Sequence, residues 1–240
     1  MTLATIGLVF AMTSAEAIAT LLNSPSAVGA RTFAAAKAIV EHDAAEGRPL
    51  QQFVVGVTTD DKALAKKYLD ASRSRIENLA SEKDNPLAWY LLSMEKNDMR
   101  LLRHAAQGGN VQALNALGTI LTQKAIESAR GGDSNKVEKV LKQCFGYFSK
   151  AAESRDPNGF VNLGACYLRG FGCEMDMELA FQCFRSAAEL GHPEGMDNIS
   201  AMYQLGHGVD KDDELSLYWA MRGRAARGDE AAAKWLRTRK

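Results

Sequence analysis

Leu163-Gly164-Ala165-Cys166-Tyr167-Leu168-Arg169-Gly170-Phe171-Gly172 falls on Ile199-Ser200-Ala201-Met202-Tyr203-Gln204-Leu205-Gly206-His207-Gly208 when the chain is slid 36 residues along itself. The same shift brings Pro157 onto Pro193 and Asp176 onto Asp212. A period of this length, marked by glycines and an aromatic residue, is the signature of stacked supersecondary units. The apolar stripe Leu179, Ala180, Cys183, Phe184, Ala187 and Ala188 has helical spacing, and so does Phe160, Leu163, Gly164 and Tyr167. Each unit is therefore expected to be a helix, a glycine loop and a second, antiparallel helix. The fold class that follows is all-α, an α-α superhelix of stacked helix pairs.

The positions within a unit have physical roles. Gly118, Gly164 and Ser200 are small where two helices must approach closely. Tyr167 and Tyr203, one turn later, are expected to fill the groove between neighbouring helices. Gly170, Gly172, Gly206 and Gly208 permit the positive φ of a tight interhelical turn. Gly191 stops one helix, and Pro193 opens the next at a first-turn position that proline tolerates.

An earlier unit appears at a shift of 46, where His104-Ala105-Ala106 before Ala113 to Gly118 matches Lys150-Ala151-Ala152 before Phe160 to Gly164. The ten additional residues fall between its helices, which should be longer than their neighbours, with Gly131-Gly132-Asp133 as the turn. Upstream, Arg31 to Glu46 is an Ala-rich helix stopped by Gly47, and Asp60 to Ser81 is amphipathic. Asn85-Pro86 opens another helix, and Asn97 opens a short one ending at Gly108. These are divergent repeats or a helical cap. The resulting division is an N-terminal helical region over residues 1–103, repeats over 104–228 and a capping helix over 229–240. Trp219 lies on the second helix of the last unit, and Asp229 starts the terminal one.

Composition fits a folded chain without a global field. The 240 residues are 46% hydrophobic and 24% charged, with 29 Lys+Arg against 29 Asp+Glu. Neither nucleic acid nor an anionic surface is attracted by such a balance. The four cysteines, at 144, 166, 173 and 183, form no CxxC and favour buried, reduced thiols. At the N-terminus Thr2 to Met12 is apolar and Ala15-Glu16-Ala17 resembles a cleavage site. No Lys or Arg precedes Arg31, however, so the basic segment of a signal peptide is missing. A buried helix from Leu3 to Leu22 is favoured over a signal peptide, and no membrane span is expected. The localisation that follows is cytoplasmic, with export as the alternative should residues 1–17 act as a signal.

The pattern LGxxYxxGxG, followed by a helix ending in Ala-Ala-x-x-Gly, resembles the Sel-one-like repeat family, a relative of the tetratricopeptide repeats. Residues 157–228 match it well. The second unit departs from it, because Ile199-Ser200 replaces Leu-Gly and Ser216 replaces the usual Ala. Residues 104–153 match in part, lacking the Tyr and both loop glycines. The resemblance implies a non-enzymatic adaptor that holds a protein or peptide in the concave groove of a solenoid. In related tetratricopeptide repeats the residue two before the small position often faces that groove, which singles out Asn162 and Asn198. Ala116 fills the slot in the earlier unit. An amide offers both donor and acceptor to an extended peptide, although local backbone is the commoner partner of Asn. A cysteine-rich subgroup linked to β-lactam binding has paired cysteines in each repeat that this chain lacks.

No metal or cofactor is expected. Cys166, Cys173, His192 and His207 have irregular spacing for zinc. Asp210 to Glu214 lacks the Gly and terminal Glu of a calcium loop, and suits a helix N-terminus instead. No nucleophile elbow, HExxH, phosphate loop or dinucleotide fingerprint occurs. Residues 220–240 carry seven Lys/Arg against Asp229 and Glu230, a solvated basic helix or a rim for an acidic partner. The rival readings are an enzyme domain hidden in residues 1–103, where His42 beside Asp43 is the sole histidine, and an exported effector acting on envelope or host proteins.

Overall fold

A computed structural model describes residues 17, 18, 22, 30–130 and 134–239. Every regular element among them is a helix: α1 (Ala30–Ala45), α2 (Pro49–Thr58), α3 (Lys62–Lys83), α4 (Pro86–Lys96), α5 (Met99–Gln107), α6 (Val111–Ala129), α7 (Ser134–Glu153), α8 (Pro157–Arg169), α9 (Met177–Glu189), α10 (Pro193–Leu205), α11 (Asp213–Ala226) and α12 (Glu230–Arg237). The expected first helix lies outside the described residues except at Ala17 and Ile18, which are helical and buried, and at Leu22. The Gly131-Gly132-Asp133 turn is also outside them. Two compact units contain Arg31–Ala113 and Leu114–Lys240 respectively.

In the first unit α2 pairs with α3 and α4 with α5, around a core of Phe53, Val54, Ile76 and Leu91. Helix α2 has little helical signal in its sequence. Its Phe53-Val54-Val55 run disfavours a helix by about 0.5 kcal/mol per β-branched residue. Burial of those three side chains contributes roughly 1.5–3 kcal/mol each, so tertiary packing wins. Gly56 leaves room for Leu69 of α3, since a Cβ there would lie 2.7 Å from Leu69 Cγ. The start of α5 also needs correction. Asn97 is the left-handed C-cap of α4, at φ 48°, and Asp98 is the N-cap that accepts from the Arg100 N–H at 2.8 Å.

In the second unit the 36-residue period returns as a set of equivalent contacts. Asp176 and Asp212 each donate a backbone N–H to the carbonyl of Tyr167 and Tyr203, both at 3.0 Å. Their carboxylates then cap α9 and α11, accepting from Leu179 N–H at 2.9 Å and Leu215 N–H at 2.8 Å. Gly170 and Gly206 end α8 and α10 in the left-handed region, at φ 67° and 71°. Tyr167 packs edge-to-face on Phe145 of α7 with centroids 5.5 Å apart, and Tyr203 does the same on Phe181 of α9 at 5.3 Å. Contacts of this kind contribute about 0.5–1.5 kcal/mol beyond burial.

The small positions lie where aromatic rings of neighbouring helices come close. A Cβ on Gly164 would lie 2.8 Å from the Phe184 ring, and one on Gly118 would overlap Phe148. Ser200 takes the same slot through a polar solution. Its hydroxyl donates to the Ser216 carbonyl at 2.8 Å and meets the Ser216 hydroxyl at 3.2 Å. The two departures from the repeat pattern are thus one contact. Helices α6 and α7 run 19 and 20 residues against 13 for each of α8, α9 and α10, which places the inserted residues at the α6–α7 end.

The candidate peptide-binding amide row

The first helices of successive units begin with one local design. Asn110, Asp156, His192 and Asp229 are the N-cap residues of α6, α8, α10 and α12, accepting from the N–H groups of Ala113, Gly159, Gly195 and Ala232. His192 caps through Nδ1, so its Nε2 carries the proton and donates to Asn158 Oδ1 at 3.2 Å. Burial above all, and then the Arg227 charge, push the imidazole down to about 4, against a smaller opposing effect of Asp197. Asp156 is half-buried. Desolvation raises its pKa despite the N–H bond from Gly159 and the amide bond from Asn115.

Asn162 and Asn198 lie 36 residues apart on α8 and α10, both half-buried. Neither has a hydrogen bond to backbone, the fate that its residue type favours. Asn162 donates weakly to Asn115 Oδ1 at 3.4 Å, and Asn115 in turn donates to Asp156 Oδ2 at 2.7 Å. Among the described residues Asn198 has no side-chain partner. The structure therefore extends the two expected amides into a set that includes Asn115. Sequence alignment put Ala116 in that slot, because the shift of 46 matches helix starts and does not reveal which side chain reaches across.

Other candidates resolve differently. All four cysteines are unpaired. Cys144 and Cys166 pack with Phe148 in one buried cluster that Cys173 borders. Burial raises all four thiols, Cys166 to about 12 and Cys183 to about 11. Cys166, Cys173, His192 and His207 are not brought together as a ligand set. One three-residue group, His42, Asp43 and Glu46, has ligand atoms within 4.8 Å of one another among the described residues. The Arg48 guanidinium bonds Asp43 at 2.8 Å and Glu46 at 3.5 Å, so the group is an ion-pair network. Of the C-terminal cations, Arg224 pairs with Asp229, Arg227 with Asp197, Arg222 lies over Trp219 and Arg239 over Trp235. No helix among the described residues is long and apolar enough to cross a membrane.

With this geometry in place, the Sel1 repeat family model matches residues 112–156, 161–192 and 193–220. The matched residues lie over helices α6 to α11. Seventeen chains of solved structures match. A Sel1 repeat protein from Oxalobacter formigenes is 25% identical with a TM-score of 0.46, over 53% of this chain and 90% of that one. Cysteine rich protein B (hcpB) of Helicobacter pylori is 22% identical with a TM-score of 0.35, over 50% and 94%. The protective antigen c5321 of uropathogenic Escherichia coli, described as displaying an SLR fold, is 20% identical with a TM-score of 0.37, over 86% and 53%. No curated protein matches the chain. The amide row lies on the first helices of the Sel1 units, and all its members fall within the matched repeats.

Proposed function

We propose that this chain is a non-enzymatic adaptor whose Sel1 repeats hold a segment of a partner protein along Asn162 and Asn198. The observation that carries the reading is the state of those amides. They recur at one repeat position, half-buried, and neither is consumed by backbone. Asn198 keeps its full hydrogen-bonding capacity for a ligand, and Asn162 keeps most of its own. Such groups suit main-chain N–H and C=O of an extended peptide, which present a donor and an acceptor at each residue. The four unpaired thiols support a reducing, cytoplasmic setting.

The test is capture of partners by the full chain and by the Asn162→Ala/Asn198→Ala variant. The variant is expected to lose the captured segment while its urea midpoint changes little, since only one weak inter-residue bond is removed, a matter of about 0.5 kcal/mol. Capture equal to that of the parent chain removes both amides from the site.

A further inference from the structure

The residues inserted into the first Sel1 unit carry a groove of their own, apart from the amide row. Gly208 rests on the backbone of Met177, the first residue of α9, whereas Gly172 rests on Leu141, the eighth residue of α7. Leu141 and Met177 are 36 residues apart, so the two contacts are equivalent. Residues Ser134 to Val140 of α7 therefore precede the point where the second helix of the next unit begins. Helix α8 ends at Arg169, whose counterpart at the shift of 46 is Gln123, so Lys124 to Ala129 of α6 project in the same way. Seven residues of helix are about 10 Å long.

An open cavity of about 420 Å³ lies between these projecting turns. Leu121, Ala125, Val137 and Val140 form its floor, and Lys124, Glu127 and Lys136 are on its rim. Lys139, exposed one turn along α7 from Lys136, flanks the same edge. Three lysines against Glu127 give this edge a net charge of +2 (3 − 1), in a chain whose overall formal charge is +0. An apolar strip between two helices, edged by positive charge, fits a third helix with aliphatic anchors one turn apart and acidic flanks. A second copy of this chain would bring the same lysines to the same place, and like charges would face each other.

We propose that the projecting α6–α7 hairpin docks an acidic amphipathic helix of a partner protein. The test is fluorescence anisotropy with the full chain and a labelled peptide of about 18 residues, long enough to be helical. The peptide has Leu at i, i+4 and i+7 and Glu on its flanks, and a second peptide replaces Glu by Lys. Saturable binding of the Glu peptide is expected, weakened by added salt, with none of the Lys peptide. Val137→Asp and the pair Lys124→Glu/Lys139→Glu should each weaken binding by roughly tenfold or more. The charge-reversal pair is wholly on the surface, so it tests the proposal even if Val137→Asp unfolds the hairpin. Asn162→Ala/Asn198→Ala should bind as the parent does, which separates this site from the amide row. Failure of the Glu peptide to saturate, or binding indifferent to the charge reversal, overturns the proposal. So does a dimer in sedimentation that Val137→Asp dissociates, because the occupant is then a second copy.

Discussion

His192 shows how one residue can do a repeated job with different chemistry. The N-cap slot that Asn110, Asp156 and Asp229 fill with an amide or a carboxylate is filled here by a neutral imidazole. Protonating Nδ1 would remove its capping lone pair. The folded state holds this group near 4, below its ordinary 6.5, so the unfolded chain binds the proton more readily. Stability from this residue is thus complete above about pH 6.5, falls as pH drops towards 4, and is lost below that. The full effect is about 3 kcal/mol by linkage. His192→Asn keeps a capping acceptor and cannot titrate. A thermal-melt series from pH 7 to pH 4 should show a smaller decline for the variant than for the parent chain. Equal declines would mean that His192 is not the group responsible. The cap ladder is only partly legible in the sequence, because identity relates Asp156 to Asp229 but not to Asn110 or His192.

At the scale of elements, the loop glycines have two separable functions. Gly191, which stops a helix, and Gly172, in the interhelical turn, both adopt positive φ, at 88° and 76°. A Cβ on Gly191 would meet nothing within 4 Å, but one on Gly172 would overlap the Leu141 carbonyl. Gly191→Ala should therefore cost only the left-handed penalty, about 1 kcal/mol. Gly172→Ala adds a backbone clash between units and should cost about 3 kcal/mol or more. Urea denaturation of the two variants measures the difference, and equal midpoints would discount the contact. Positive φ was legible from the residue type. The close approach was not, because it depends on a carbonyl 31 residues away (172 − 141). Helix α2 was missed for a related reason: its local propensity points the wrong way and burial against α3 decides it. Ser200 and Ser216 were visible as two exceptions, and only packing makes them partners.

Over the whole molecule, the cysteines act as internal reporters of the middle of the repeat array. All four fall between residues 144 and 183, on α7, α8, their following loop and α9. Burial raises every thiol, so little thiolate exists at neutral pH. An aromatic disulfide reagent at pH 8 should label the native chain much more slowly than the urea-unfolded chain. Buried Cys144 and Cys166 should lag behind half-buried Cys173 and Cys183. Immediate labelling of all four in native buffer would contradict that packing. The all-helical class and the repeat register were legible because glycine, tyrosine and aspartate at fixed spacing each answer a backbone requirement. The amide row was only half legible, since Asn115 is brought in by lateral packing rather than by period.

The seats of Gly172 and Gly208 also bear on how such a chain changes length. Each later unit locks onto its predecessor through a contact indexed from the C-terminal side of the hairpin, so residues added at the hairpin tip leave that index untouched. Ten extra residues entered the first unit while the two following ones kept a common 36-residue step. New surface can therefore be acquired at a tip by insertion alone, one unit at a time, without renegotiating the interfaces that hold the rest of the array.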